Sequence, residues 1–172
     1  MTKKMEEAKN LIAQLCKFLF EYFYKVYVKS AEEDKVLNDS IVILNKILLI
    51  FYDIFSFYLK EENIIKDLFP FMDVILNFCL VRNYEKFSEG LDVLLLILKN
   101  LSSVPTFCWK YFRVIIRSVI GTEEEIRRFS LIYPNQIFEG YGYDYLENIS
   151  KIISLFIKKD TRTFIENSNK ID

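Results

Sequence analysis

Glu85, Glu89 and Asp92 recur at intervals of four and three, which places three carboxylates on one face of a helix. Like charges spaced this way repel one another slightly in the free protein. An acidic face of this kind can receive a basic segment of a partner protein, with long-range attraction speeding the encounter. The same spacing equally describes an ordinary solvated face. A second acidic run, Glu123 to Glu125, is followed by Arg127 and Arg128, which helical spacing makes mutually compensating. Phe107, Trp109, Tyr111 and Phe112 form an aromatic cluster that reads either as core or as an exposed pocket for a short aromatic motif.

Other chemistry is closed off by what the chain lacks. It contains 0 histidines, so the commonest general base, zinc ligand and pH switch near neutrality are all missing. Cys16, Cys79 and Cys108 each sit in an apolar run, at spacings that fit no zinc site or CxxC motif, and read as small core residues in a reducing compartment. Gly90, Gly121, Gly140 and Gly142 make no phosphate-cradling loop, and no carboxylate pair is accompanied by a nucleophile. The expectation is a protein that is not an enzyme and uses no cofactor or metal.

The positioning elements must come from 172 residues that are 52% apolar and 16% aromatic, ample for a core. A formal charge of -1 gives no global basic field, so no direct nucleic-acid partner is expected. The charged opening MTKKMEEAKN does not resemble a secretory leader. The best membrane candidate, Ile41 to Leu59, carries Lys46 and Asp53 well inside it. Each such charge costs roughly 2.5 to 3.5 kcal/mol on insertion, which argues against spanning. An integral or peripheral membrane protein built on this stretch is therefore the weaker class.

Helical periodicity runs throughout, and strand signals are nearly missing. Segments are expected at about Glu6 to Val28, Lys35 to Leu59, Asn63 to Val81, Tyr84 to Leu101, Thr106 to Val119 and Tyr145 to Ile157. The second should be covered on two sides, because Val42, Ile43, Ile47, Leu49 and Ile50 widen its apolar stripe. Short links predict antiparallel neighbours. Pro70 should kink or restart the third segment, Pro105 opens the fifth, and Pro134 ends another piece. Between Gly121 and Gly142, Thr122 with Glu125 forms a capping box ahead of a short extra helix.

In the stretch GYGYDYLENISKIISLFIKKDTRTF, Gly140 and Gly142 suit the positive φ of a tight turn, and Asp144 with Glu147 reads as an N-cap box. Leu146, Ile149, Ile153 and Phe156 form a buried stripe that ends at Lys158 and Lys159. Asp160 with Thr161 offers the next cap.

From Asn83 onward the order of features resembles the importin-beta superfamily of HEAT-repeat nuclear transport receptors, in particular its large importins for ribosomal proteins and histones. The resemblance is carried by SSVPTFCW, Ser102 to Trp109, and by the Gly-aromatic-Asp-Tyr turn at Gly142 with the Asp-Thr-x-Thr tail at Asp160, Thr161 and Thr163. It implies an all-α fold of antiparallel helix pairs stacked as a short HEAT-like α-solenoid. The chain would be one block of about three pairs over residues 1–172, with a helical insertion near 121–140. It further implies a segment of a receptor shuttling between cytoplasm and nucleus. Such a segment would hold basic protein cargo at Glu85, Glu89 and Asp92, and FG nucleoporins at Phe107, Trp109 and Tyr111. Ran-GTP contact would belong to a full-length receptor, and a monomer is expected. The alternative is a self-contained protein-interaction bundle, such as a virus-encoded mimic of an apoptosis regulator. A composition rich in Phe, Ile, Lys, Asn and Tyr, with Ala only three times, fits an AT-rich genome. The sequence around Trp109, CWKY, lacks the Asn-Trp-Gly-Arg-like helix start of that class.

Overall fold

The computed structural model describes residues 3–25, 46–54, 56, 62–132 and 140–168. Among these the chain is all-α, with no strand. It parts into two compact units, Met1–Phe57 and Tyr58–Asp172. Most of the expected Lys35 to Leu59 helix, and Pro134, lie outside the described residues.

In the first unit, α1 spans Lys3–Phe23 and α2 occupies residues 46–54. Cys16 and Phe23 on α1, and Ile47, Leu48 and Phe51 on α2, are buried, with the rings of Phe23 and Phe51 meeting edge to face at 6.4 Å. Leu49 and Ile50 are exposed. The described part of α2 is therefore covered on one side, not two.

The second unit opens with α3, Glu62–Asn77, which runs unbroken through Pro70. It passes into a π-helical turn, Phe78–Arg82, closed by the Asn83 amide donating to the Phe78 carbonyl at 3.0 Å. This wider turn buries the consecutive side chains Phe78, Cys79 and Leu80. After a 3-10 turn at Tyr84–Lys86 comes α4, Phe87–Asn100, with Phe87, Leu91, Leu94, Ile97 and Leu98 at 0% exposure. A 3-10 turn at Thr106–Cys108, with Pro105 at its start, leads into α5, Trp109–Ile120. Two further helices follow the insertion: α7, Leu146–Lys159, and α8, Thr161–Ser168. Helix α4 packs on α3, on the π turn and on α7, and α5 packs on the π turn and α7.

The insertion is α6, Glu123–Ile132, and its start matches the expected capping box. The Thr122 amide donates to the Glu125 carboxylate at 2.7 Å, and the Glu125 amide donates to the Thr122 hydroxyl at 3.3 Å. The Thr122 amide and, at 2.9 Å, the Thr122 hydroxyl both donate to the Glu125 carboxylate, and these two bonds hold it below its ordinary range. Their contribution is present above the unfolded-state value and is lost as pH falls through the depressed one. Thr122→Ala is expected to weaken α6 by about 1 kcal/mol. Hydrogen exchange at the amides of residues 123–126 should speed up, while those of α4 stay unchanged.

The turn at Gly140 departs from expectation. Positive φ occurs at Gly121, 73°, whereas Gly142 has φ -77°. The reason for glycine at 140 and 142 is close approach. Their amides donate to the Val119 and Ser118 carbonyls at 3.2 and 2.8 Å, satisfying acceptors that the end of α5 leaves open.

No side chain caps α7 either. Asp144 lies inside a 3-10 turn, Tyr143–Tyr145, and Glu147 accepts from Lys151 at 2.5 Å, one turn along the exposed face. The buried residues of α7 are Ile149, Ile152 and Phe156, with Ile153 half-buried and Leu146 41% exposed, so the face turned to the core is centred on Ile149 and Ile152 and not on the expected stripe. Asp160 caps α8 as anticipated, its carboxylate accepting from the Thr163 amide at 3.2 Å.

Candidate protein-interaction surface

The acidic residues sit where α4 begins. Glu85 is exposed in the 3-10 turn, with its amide donating to the Asn83 side chain at 3.1 Å. Glu89 is half-buried and pairs at 3.2 Å with Lys86, whose side chain is only 8% exposed. Asp92 is exposed, receives the Asn148 amide from α7 at 3.3 Å, and forms no ion pair with any described residue. Partial burial raises the Asp92 carboxyl above its ordinary value and the neighbouring Glu89 adds to that, with Lys99 opposing. Glu89 and Asp92 thus lie one turn apart on α4, whereas Glu85 precedes the helix in the 3-10 turn and does not share one continuous helical face with them. One cation, Lys86, serves Glu89, and α7 flanks the far end at Asn148.

The aromatic residues do not form one pocket. Phe107 is half-buried against Phe69 of α3, with ring centroids 5.2 Å apart. Trp109 is half-buried against Phe156 of α7 at 4.6 Å and Phe112 at 5.8 Å, and Phe112 continues the stack to Phe164 at 5.3 Å. Tyr111 is fully buried. Alternate positions at the start of a helix face different neighbours, so the cluster tethers α5 to α3 on one side and to α7 and α8 on the other.

Two polar anchors had no counterpart among the sequence candidates. The Tyr111 hydroxyl donates to the pair of Asp73 acceptors, the main-chain carbonyl at 2.6 Å and the carboxylate at 2.8 Å, and Lys110 meets the same carboxylate at 2.6 Å. This ties α5 to α3 through a buried phenol. At the other end of the unit, the Lys159 ammonium donates to the Leu101 carbonyl, closing the exit of α4 with a cation from α7. Asp73 inside the apolar run FMDVIL was the one available signal for the first, since an acid there needs a partner.

Among the described residues, no helix is long and apolar enough to cross a membrane. No protein-family model, curated protein or solved structure matches the chain.

Proposed function

We propose that the protein is a non-catalytic helical scaffold that binds a basic segment of a partner protein along Glu85, Glu89 and Asp92. The observation that carries this reading is the state of Asp92. Its carboxyl is raised by burial and by Glu89 more than Lys99 lowers it, and it forms no salt bridge with a described residue. An arriving Lys or Arg relieves that repulsion, which a purely structural ion pair would already have done. The all-α fold of the described residues and the resemblance to importin-type receptors support a role in carrying basic cargo between cytoplasm and nucleus. In this reading Phe107 and Trp109, both half-buried, offer their open edges to an FG motif, while Tyr111 serves the scaffold.

Titration calorimetry of the whole chain with a Lys/Arg-rich peptide tests the proposal. Binding is expected to weaken steeply with salt, and to drop by about tenfold or more in Asp92→Lys, a change of about 1.4 kcal/mol. An FG peptide in the same cell reports separately on Trp109. Equal affinity for the basic peptide in wild type and Asp92→Lys would remove the acidic residues from the account.

A further inference from the structure

We propose that the chain forms a two-fold dimer through an apolar seam on α1 made by Leu11, Leu15, Phe18 and Tyr22, packed antiparallel against the same seam of a second copy. The four residues follow the four-three-four spacing of a coiled-coil seam, within a helix of 21 residues. All are exposed, at 70%, 45%, 66% and 42% respectively. They are not the face with which α1 packs in its own unit. That face is Cys16 and Phe23, both at 0% exposure, with Phe23 against Phe51. The helix is thus apolar on two sides, and only one is used within the described unit.

The occupant follows from charge and symmetry. With the two-fold axis between Leu15 and Phe18, Leu11 of one copy faces Tyr22 of the other and Leu15 faces Phe18, so large is matched with small in every layer. Glu7 lies near the start of α1 and Lys25 just beyond its end, both exposed and neither in an ion pair with a described residue. Antiparallel pairing sets each Glu7 beside the other copy's Lys25, whereas parallel pairing would set like charge against like. The flanks, with Lys17 and Glu21 also exposed, balance in sign and lack the basic face that an anionic membrane selects. Four such side chains expose roughly 400 Å² per copy. About 800 Å² for the pair lies below the roughly 1,000 Å² that stable interfaces clear, so the association is a weak one, with a dissociation constant on the order of 100 μM or above. The dimer replaces the monomer expected from the sequence and is independent of the acidic residues.

Sedimentation equilibrium on the full chain, over a range bracketing that constant, is expected to show monomer passing to dimer. Leu15→Glu and Phe18→Glu alter exposed positions, so both variants should keep the wild-type circular dichroism and melting while weakening association by about tenfold or more. Glu7→Lys should weaken it, and adding Lys25→Glu should restore it. A wild-type chain that stays monomeric throughout overturns the proposal, as does a dimer indifferent to both glutamate variants. Failure of the charge exchange to restore association overturns the antiparallel arrangement. Flotation with anionic vesicles that is lost in Leu15→Glu, while the chain in solution remains monomeric, assigns the seam to a membrane surface instead.

Discussion

Gly140→Ala is expected to destabilise the second unit by about 3 kcal/mol or more, combining overpacking with the loss of one or two helix-end hydrogen bonds. A Cβ at Gly140 would stand 2.2 Å from the Ser118 carbonyl oxygen and 2.8 Å from that of Val119. Both are backbone atoms of the last turn of α5, so relief requires moving the helix end or the turn. Either movement stretches the bonds from Gly140 to Val119 and from Gly142 to Ser118. For a unit of this size the loss corresponds to a fall in melting temperature of roughly 10 °C. Gly142→Ala provides an internal control, because its nearest obstacle is the Ser118 hydroxyl at 2.1 Å, with the Ser118 Cβ next at 2.9 Å. Ser118→Ala removes that hydroxyl and should partly rescue Gly142→Ala, yet leave Gly140→Ala as unstable as before. If Gly140→Ala melts with the wild type, the turn does not hold the end of α5.

These two glycines also show what the sequence could and could not disclose. Their clustering marked a turn, and a turn is there. Glycine serves both positive φ and close approach, however, and nothing local to GYG tells the two apart. The obstacle is Ser118, more than twenty positions earlier, which only the tertiary fold brings near. The capping box at Thr122 was legible because its bonds run between residues three apart. The cap at Asp160 was legible for the same reason. Asp144 failed as a cap because a 3-10 turn occupies the place of the first α-helical turn, flanked by Tyr141 and Tyr145, whose rings pack on Phe87 at 5.1 and 5.6 Å. Periodicity located the helices but fixed their rotation less well, so Ile152 replaced Ile153 in the buried stripe of α7. In the candidate site, spacing placed Glu89 and Asp92 together on α4, but Glu85 falls in the 3-10 turn before it, where helical spacing no longer applies. The dispersal of Phe107, Trp109 and Tyr111 depends on which helix each one meets, and composition carries no record of that.

Stability of the second unit should collapse on the alkaline side, with a slope set by three buried protons. Cys79 and Cys108 are both at 0% exposure. Burial pushes each thiol far above its ordinary value, with Glu89 adding to the rise at Cys79 and Asp73 at Cys108, while Lys86 and Lys110 oppose it. Tyr111 is raised likewise, first by burial and then by its hydrogen bond to Asp73. All three therefore keep their protons in the folded chain at pH values where the unfolded chain has lost them. A raised folded-state value means that the contribution is whole below the unfolded-state one, about 8.5 for the thiols and about 10 for the phenol, and drains away as pH climbs beyond it. Each group fully divided between the two states contributes about 1.4 kcal/mol per pH unit, so two thiols give about 2.7 per unit above pH 9, and the phenol brings the total to about 4 above pH 10. Urea unfolding at a series of pH values from about 8 to 11 measures this slope directly. Cys108→Ala should lower stability at every pH through its cavity, yet flatten the decline from pH 9 onward by one group's share. Tyr111→Phe should flatten it only above pH 10, and the difference in onset separates the two contributions. A free energy that stays level from pH 8 to 11 would mean that solvent reaches these groups in the folded chain. The Asp73 anchor between α3 and α5 would then be wet, and the packing of α5 on its neighbours would rest on the ring stack of Trp109, Phe112 and Phe156 instead.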